Sequence, residues 1–141
     1  MRVESVHSER GPEPVGAYPH AKRVGNLLFI SGMGPRRRGD AAIPGVTLDE
    51  RGRVVAYDIS TQCRAVFDNL RFILEDAGTR WENIVDVTTF LTDMGDFAAY
   101  NAVYAEYFAG PGRPNPSRTT VAVTALPTPI AVELKVIATI E

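Results

Sequence analysis

The chain has 141 residues, 45% of them apolar and 23% charged, which fits one soluble globular domain spanning 1–141 and leaves no room for a second. With 15 Lys and Arg against 17 Asp and Glu, the formal charge is −2, so nothing global draws it to nucleic acid or anionic membrane and any anion site must be local. No stretch approaches the roughly 18 apolar residues of a membrane span and the opening residues lack an apolar signal core, so a cytoplasmic protein is expected.

Cys63 is the only cysteine and His7 and His20 the only histidines, which excludes an internal disulfide and leaves no cluster spaced for structural zinc. Neither G-x-G-x-x-G nor G-x-x-x-x-G-K-[ST] occurs, so no cofactor is expected.

The first 25 residues, rich in Gly and Pro, read as a surface segment with one short strand at Val3 to Val6. Within them "GAYPHAKRVG" sets Tyr18, Pro19 and His20 in a rigid turn; a loop histidine is ordinarily solvated, but beside a cleft it can move protons near neutral pH. "NLLFISGM", Asn26 to Met33, is a continuous apolar run closed by Gly32 and Gly34, the pattern of a buried strand. Gly34 to Gly52 carries Pro35, Gly39, Pro44, Gly45 and Arg51-Gly52 and reads as a long loop or a pair of turns. Its "GPRRRG" is either a solvated run or the source of an arginine that forks onto a carboxylate.

From Asp58 the period changes. Ile59, Cys63, Val66, Leu70, Ile73, Leu74 and Ala77 recur every three or four residues, which predicts an amphipathic helix capped by Asp58 or Ser60 and stopped at Gly78. Cys63 on that stripe reads as a small core residue. "NIVDVTTFL", Asn83 to Leu91, predicts a strand. Asp96 caps a second helix whose face, Phe97, Tyr100, Val103, Tyr104, Tyr107 and Phe108, reads as core rather than ligand cage. Thr119 to Thr124 and Ile130 to Ile140 predict two closing strands, expected as an antiparallel hairpin across "ALPTP". In the last, Ile130, Val132, Leu134, Val136, Ala138 and Ile140 share one face, while Ala131, Glu133, Lys135, Ile137 and Thr139 turn to the other. The order predicts an α+β fold, a mixed sheet with two helices on one face. The opposite face, half apolar and half charged, points to burial against another subunit.

Arg118 in "NPSRTTVAV" stands at the mouth of a strand as a permanent cation. In the expected hairpin, a register setting Thr120 opposite Glu133 would place Arg118 one diagonal step from Glu133 on one face, and a slip of one residue would separate them. A structural ion pair and an anion site both satisfy these residues. Ser31 lacks the G-x-S-x-G context and reads as a hydrogen-bond donor rather than a nucleophile.

The strand "FISG", the motif "NPSRTTVAV" before a Leu-Pro turn, the closing "VELKVIATIE" and the intervening "FLTDMGDFAAYNAVYAEYF" together resemble the Rid family, also called YjgF-like, over essentially the whole chain. That resemblance implies a chorismate-mutase-like α+β fold and a homotrimer, or a pair of trimers, with clefts between subunits. It also implies hydrolysis of reactive enamines and imines to ketones and ammonia. Arg118 matches the arginine that holds the substrate carboxylate and Glu133 the glutamate associated with the hydrolytic water, acting directly or through Thr120, with His20 or Tyr18 as a proton relay. Tyr18, Ser31 and Gly32 match further pocket positions; where many members carry a cysteine, this chain has Thr120. "YPH" and the "RR" after "SG" resemble the branch acting on 2-aminomuconate, a dicarboxylate whose second carboxylate Arg36 or Arg37 would take. The alternatives are a general deaminase of small imines such as 2-aminoacrylate, and a non-catalytic module that binds a small carboxylate. Nucleic-acid binding would rest on Arg36 to Arg38 alone.

Overall fold

The computed structural model describes residues 1–141. Eight strands and two helices run β1 (Val3–Val6), β2 (Ala21–Val24), β3 (Leu27–Met33), β4 (Val46–Leu48), β5 (Val54–Tyr57), α1 (Ile59–Ala77), β6 (Ile84–Leu91), α2 (Phe97–Phe108), β7 (Ser117–Ala122) and β8 (Val132–Thr139). Six strands form a sheet in the order β1-β2-β3-β8-β6-β7, and β4 and β5 form a separate ribbon. Only β6 and β7 pair in parallel, so the sheet is mixed and the α+β expectation holds.

Both helices cover one face. On α1 the predicted stripe is buried, with Cys63, Val66, Phe67, Leu70, Ile73 and Leu74 inaccessible to solvent. Asp58 accepts the Ser60 N–H as its cap, and Gly78 ends it at φ 96°, a left-handed conformation that costs glycine nothing. Phe108 of α2 packs on Phe67 and on Trp81, ring centroids 5.3 and 4.8 Å apart. From β8, Val132, Leu134, Val136 and Ala138 meet this core at 0% exposure, as their alternation requires.

Three expectations fail. The first 25 residues are not merely surface: Ala21–Val24 is a strand paired to β3, and Ser8, Gly11, Pro12 and His20 are buried. The stretch after Gly34 is not all loop, since Val46–Leu48 pairs with Val54–Tyr57. Gly45 serves that ribbon at φ +72°, where a Cβ would stand 2.7 Å from the Asp58 carbonyl. Most consequential, β7 and β8 form no hairpin. β8 lies between β3 and β6, antiparallel to both, while β7 sits at the sheet edge beside β6. Because α2 joins β6 to β7, those two strands run parallel, as a helical crossover dictates.

Candidate active site

β3 shifts register against β8 between Ile30 and Met33, and a bulge of this kind re-aims the side chains beside it. Ser31 and Gly32 there line a cavity of about 220 Å³ with Tyr18, His20, Arg36 and Glu133. The turn that carries Tyr18 is tied to β3 from both sides: Ser31 Oγ donates to the Pro19 carbonyl at 2.8 Å and the Ser31 N–H to the His20 carbonyl at 2.9 Å. The Tyr18 hydroxyl accepts the Val15 N–H at 3.2 Å. Glu133 faces the cavity so closely to Gly32 that a Cβ there would lie 2.8 Å from Oε2. Burial alone pushes the Glu133 carboxyl above its ordinary pKa, which suits a group that must take and return a proton near neutrality. Two residues along, burial pulls the Lys135 ammonium below its ordinary value, and its Nζ donates to the Ile30 carbonyl at 2.7 Å.

Arg118 is elsewhere. In the β6–β7 register it pairs with Val87, and Thr120 with Thr89. Val87 and Thr89 are fully buried under the helices, so Arg118 and Thr120 share the helix side of the sheet. Glu133 pairs with Phe90, one position from Thr89 and so on the open side. The expected diagonal contact of Arg118 with Glu133 therefore does not occur within one chain, and Thr120 does not reach Glu133 there either. Instead Arg118 Nη1 donates to Asn101 Oδ1 at 2.9 Å, and the guanidinium carbon lies 4.5 Å from the Tyr104 ring centroid. The ion pairs of the chain do not include it, so its charge is uncompensated. Thr120 Oγ1 and the Tyr104 hydroxyl are buried without hydrogen-bond partners.

A cavity-facing glutamate and an unpaired arginine on an otherwise matching α+β frame can be set beside known proteins. The family profile described as Endoribonuclease L-PSP matches residues 8–140. The chain belongs to the Rid/YjgF/L-PSP family. A RutC family protein of Pyrococcus abyssi is 37% identical over 98% of both chains. The chloroplastic Reactive Intermediate Deaminase A of Arabidopsis thaliana is 33% identical over 99% of this chain and 67% of its own length. Among solved structures, E. coli TdcF with bound serine superposes with a TM-score of 0.83 at 28% identity, covering 98% of this chain and 99% of that one.

In this Rid-family chain the "RRR" loop divides its work. Arg38 donates to the Gly11 and Ser8 carbonyls at 2.7 and 2.8 Å and pairs with Glu13, fastening the segment that walls the cavity. Arg36 lines the cavity and spends Nη2 on the Glu13 carbonyl at 2.7 Å. Arg37 points to a different hollow, beside Arg10, Asp68 and Phe72, so it does not share the site expected for it. His20 is also committed: its Nδ1 accepts the Ser8 N–H at 2.9 Å and Nε2 lies 2.8 Å from the Pro12 carbonyl. Those bonds require the proton on Nε2 and leave no ring nitrogen free to relay one.

Sequence reasoning did not single out Gln62 and Asn69. Asn69 Nδ2 donates to the Gly34 and Arg36 carbonyls at 2.9 and 2.6 Å and so aims Arg36. Gln62 Oε1 accepts the Ala131 N–H at 2.9 Å, two residues before Glu133. Their signal was present: two amides seven apart on the apolar stripe of α1, which bury only when they hold something.

Proposed function

We propose that the protein is a hydrolytic deaminase of enamine and imine carboxylates. Glu133 carries this reading: a carboxyl raised by burial, facing a cavity and free of any ion pair, is equipped to deprotonate a water. After the enamine tautomerises to the imine, water adds to the carbon bearing nitrogen as its proton passes to Glu133. That proton passes on to the nitrogen of the adduct; Glu133 then takes the adduct's hydroxyl proton and delivers it to nitrogen as well, and as the C–N bond breaks ketone and ammonia leave. Arg118 holds the substrate carboxylate and so fixes the reacting carbon.

Because Arg118 and Glu133 occupy opposite faces of one sheet, this reading needs a second copy whose edge strand brings its Arg118 beside the first copy's cavity. A homotrimer, or a pair of trimers, with sites between subunits meets that need. The open sheet face, where Leu27 is 40% and Val121 37% exposed, is the surface such an assembly would cover.

For the substrate we propose a dicarboxylate, 2-aminomuconate, converted to its 2-oxo product and ammonia. Arg36 supports this, since Nε and Nη1 remain available to a second carboxylate at the cavity wall. The serine bound in E. coli TdcF favours the second reading, a deaminase of small imines such as 2-aminoacrylate, in which Arg36 only holds Glu13. Nucleic acid is disfavoured because the formal charge is −2 and Arg38 is occupied within the chain. Ammonia release from the two substrates decides between the main readings: higher kcat/KM on 2-aminomuconate, lost selectively in Arg36→Ala, is expected. Preference for 2-aminoacrylate with indifference to Arg36→Ala would transfer the assignment to the general deaminase. No ammonia from either, with thermal stabilisation by a small carboxylate, would make the protein a binding module.

A further inference from the structure

We infer that the aromatic face of α2, Phe97, Tyr100 and Tyr104, is the shelf that positions Arg118 for a carboxylate. The inference rests on Arg118 being the carboxylate anchor and extends the site to residues that read from sequence as plain core.

Three rings surround one cation. The guanidinium carbon lies 4.5, 5.4 and 5.6 Å from the centroids of Tyr104, Tyr100 and Phe97, within reach of cation–π attraction. The rings are themselves fixed. Tyr104 stacks on Phe108 with centroids 4.2 Å apart and planes 16° from parallel, and the Tyr100 hydroxyl is 2.5 Å from Thr89 Oγ1. Every partner of Arg118 is neutral: three π faces and the Asn101 amide oxygen. Burial pushes the Tyr104 phenol up to about 12 and raises Tyr100 as well, so neither offers a phenolate at neutral pH. A carboxylate in place of these rings would neutralise the guanidinium before substrate arrived. Only Nη1 is spent, on Asn101, so Nε and Nη2 are left to a carboxylate, which is recognised along that edge.

The test uses the intact protein in its native assembly, with pyruvate as the probe. Calorimetric titration should show pyruvate binding abolished in Arg118→Ala, weakened about tenfold in Tyr104→Leu, and within about twofold of the parent in Tyr104→Phe, which keeps the ring. Phe97→Ala, at the half-buried start of the helix, should weaken binding about threefold and guards against failure of the Leu variant to fold. The parent should also show ring-current-shifted Arg118 side-chain protons, retained in Tyr104→Phe and lost in Tyr104→Leu, a signature that a role confined to the core would not carry. Parent-like binding in folded Tyr104→Leu and Phe97→Ala overturns the shelf. So does equal weakening in Tyr104→Phe and Tyr104→Leu, which would assign the effect to the hydroxyl. Parent-like binding in Arg118→Ala would instead overturn the anchor on which the shelf depends.

Discussion

A methyl group at position 32 would stand 2.8 Å from Glu133 Oε2 and 2.9 Å from its Cδ, so Gly32→Ala tests the catalytic role proposed for that carboxyl without altering it chemically. Ordinary contact begins at 3.4 Å, and the carboxyl must therefore retreat by the difference, about 0.6 Å. The fold should tolerate this. Gly32 is exposed and is not among the glycines with positive φ, and the atoms that must yield are the far end of a side chain. Alanine also gains about 0.4–1 kcal/mol through the unfolded chain where its backbone is unstrained, so stability should stay within about 1 kcal/mol of the parent. Catalysis should not stay so close. A misplacement of 1 Å can cost about a hundredfold in rate, and 0.6 Å then predicts a fall of about tenfold or more in kcat/KM, or about 1.4 kcal/mol in the barrier. Steady-state ammonia release on the better of the two substrates, with thermal denaturation of the same sample, measures both quantities. Turnover within twofold of the parent would refute the placement of Glu133 at the reacting centre, as would an activity loss that merely tracks loss of folded protein.

Glu133→Gln should abolish turnover yet gain stability relative to the parent as pH rises. Burial raises the folded pKa, so between the unfolded value and the folded one the native state holds more protons and the parent loses stability with rising pH. Melting curves from about pH 4 upward should diverge in favour of Gln, and parallel curves would contradict that sign. His20→Ala removes partners from the buried Ser8 N–H and the Pro12 carbonyl, each worth about 1–3 kcal/mol when left unsatisfied. Its melting temperature should drop clearly while the folded fraction keeps its kcat; an unchanged melting temperature with lost kcat would restore the relay role. Arg38→Ala, which frees Ser8, Gly11 and Glu13 from the loop, should raise KM and increase proteolysis near the N-terminus, whereas Arg37→Ala should alter neither, as kinetics and limited digestion would show.

What the sequence revealed of this fold follows which residues meet the core. The α1 stripe and the alternation of β8 were legible because one complete face of each is buried, so the pattern has a period to display. β5 exposes all four of its residues, and a ribbon without a core face writes no alternation; only the turn at Gly52 was visible. β2 was hidden because Arg23, buried to 8% exposure with Nε donating to the Gly25 carbonyl at 3.0 Å, occupies an inward position where a hydrophobe was awaited. A polar head on an aliphatic stem can fill such a place.

The strand order misled for a different reason. Two strands joined by a short turn suggest a hairpin, and that inference placed Arg118 beside Glu133. The stronger constraint in the same stretch is that strands joined through a helix run parallel when they pair, and α2 lies between β6 and β7. With β7 beside β6, β8 fills the slot between β3 and β6 rather than the free edge of β7. The central position buries β8 on the helix face and sets Glu133 on the open one, while β7 is left at the edge with Arg118 facing α2. The two residues to which the proposed reaction is assigned are thus separated by the topology itself, and a site that used both would have to be closed by another copy of the chain. The edge strand that exposes unpaired backbone groups and the uncovered sheet face are the surfaces where that closure would be made.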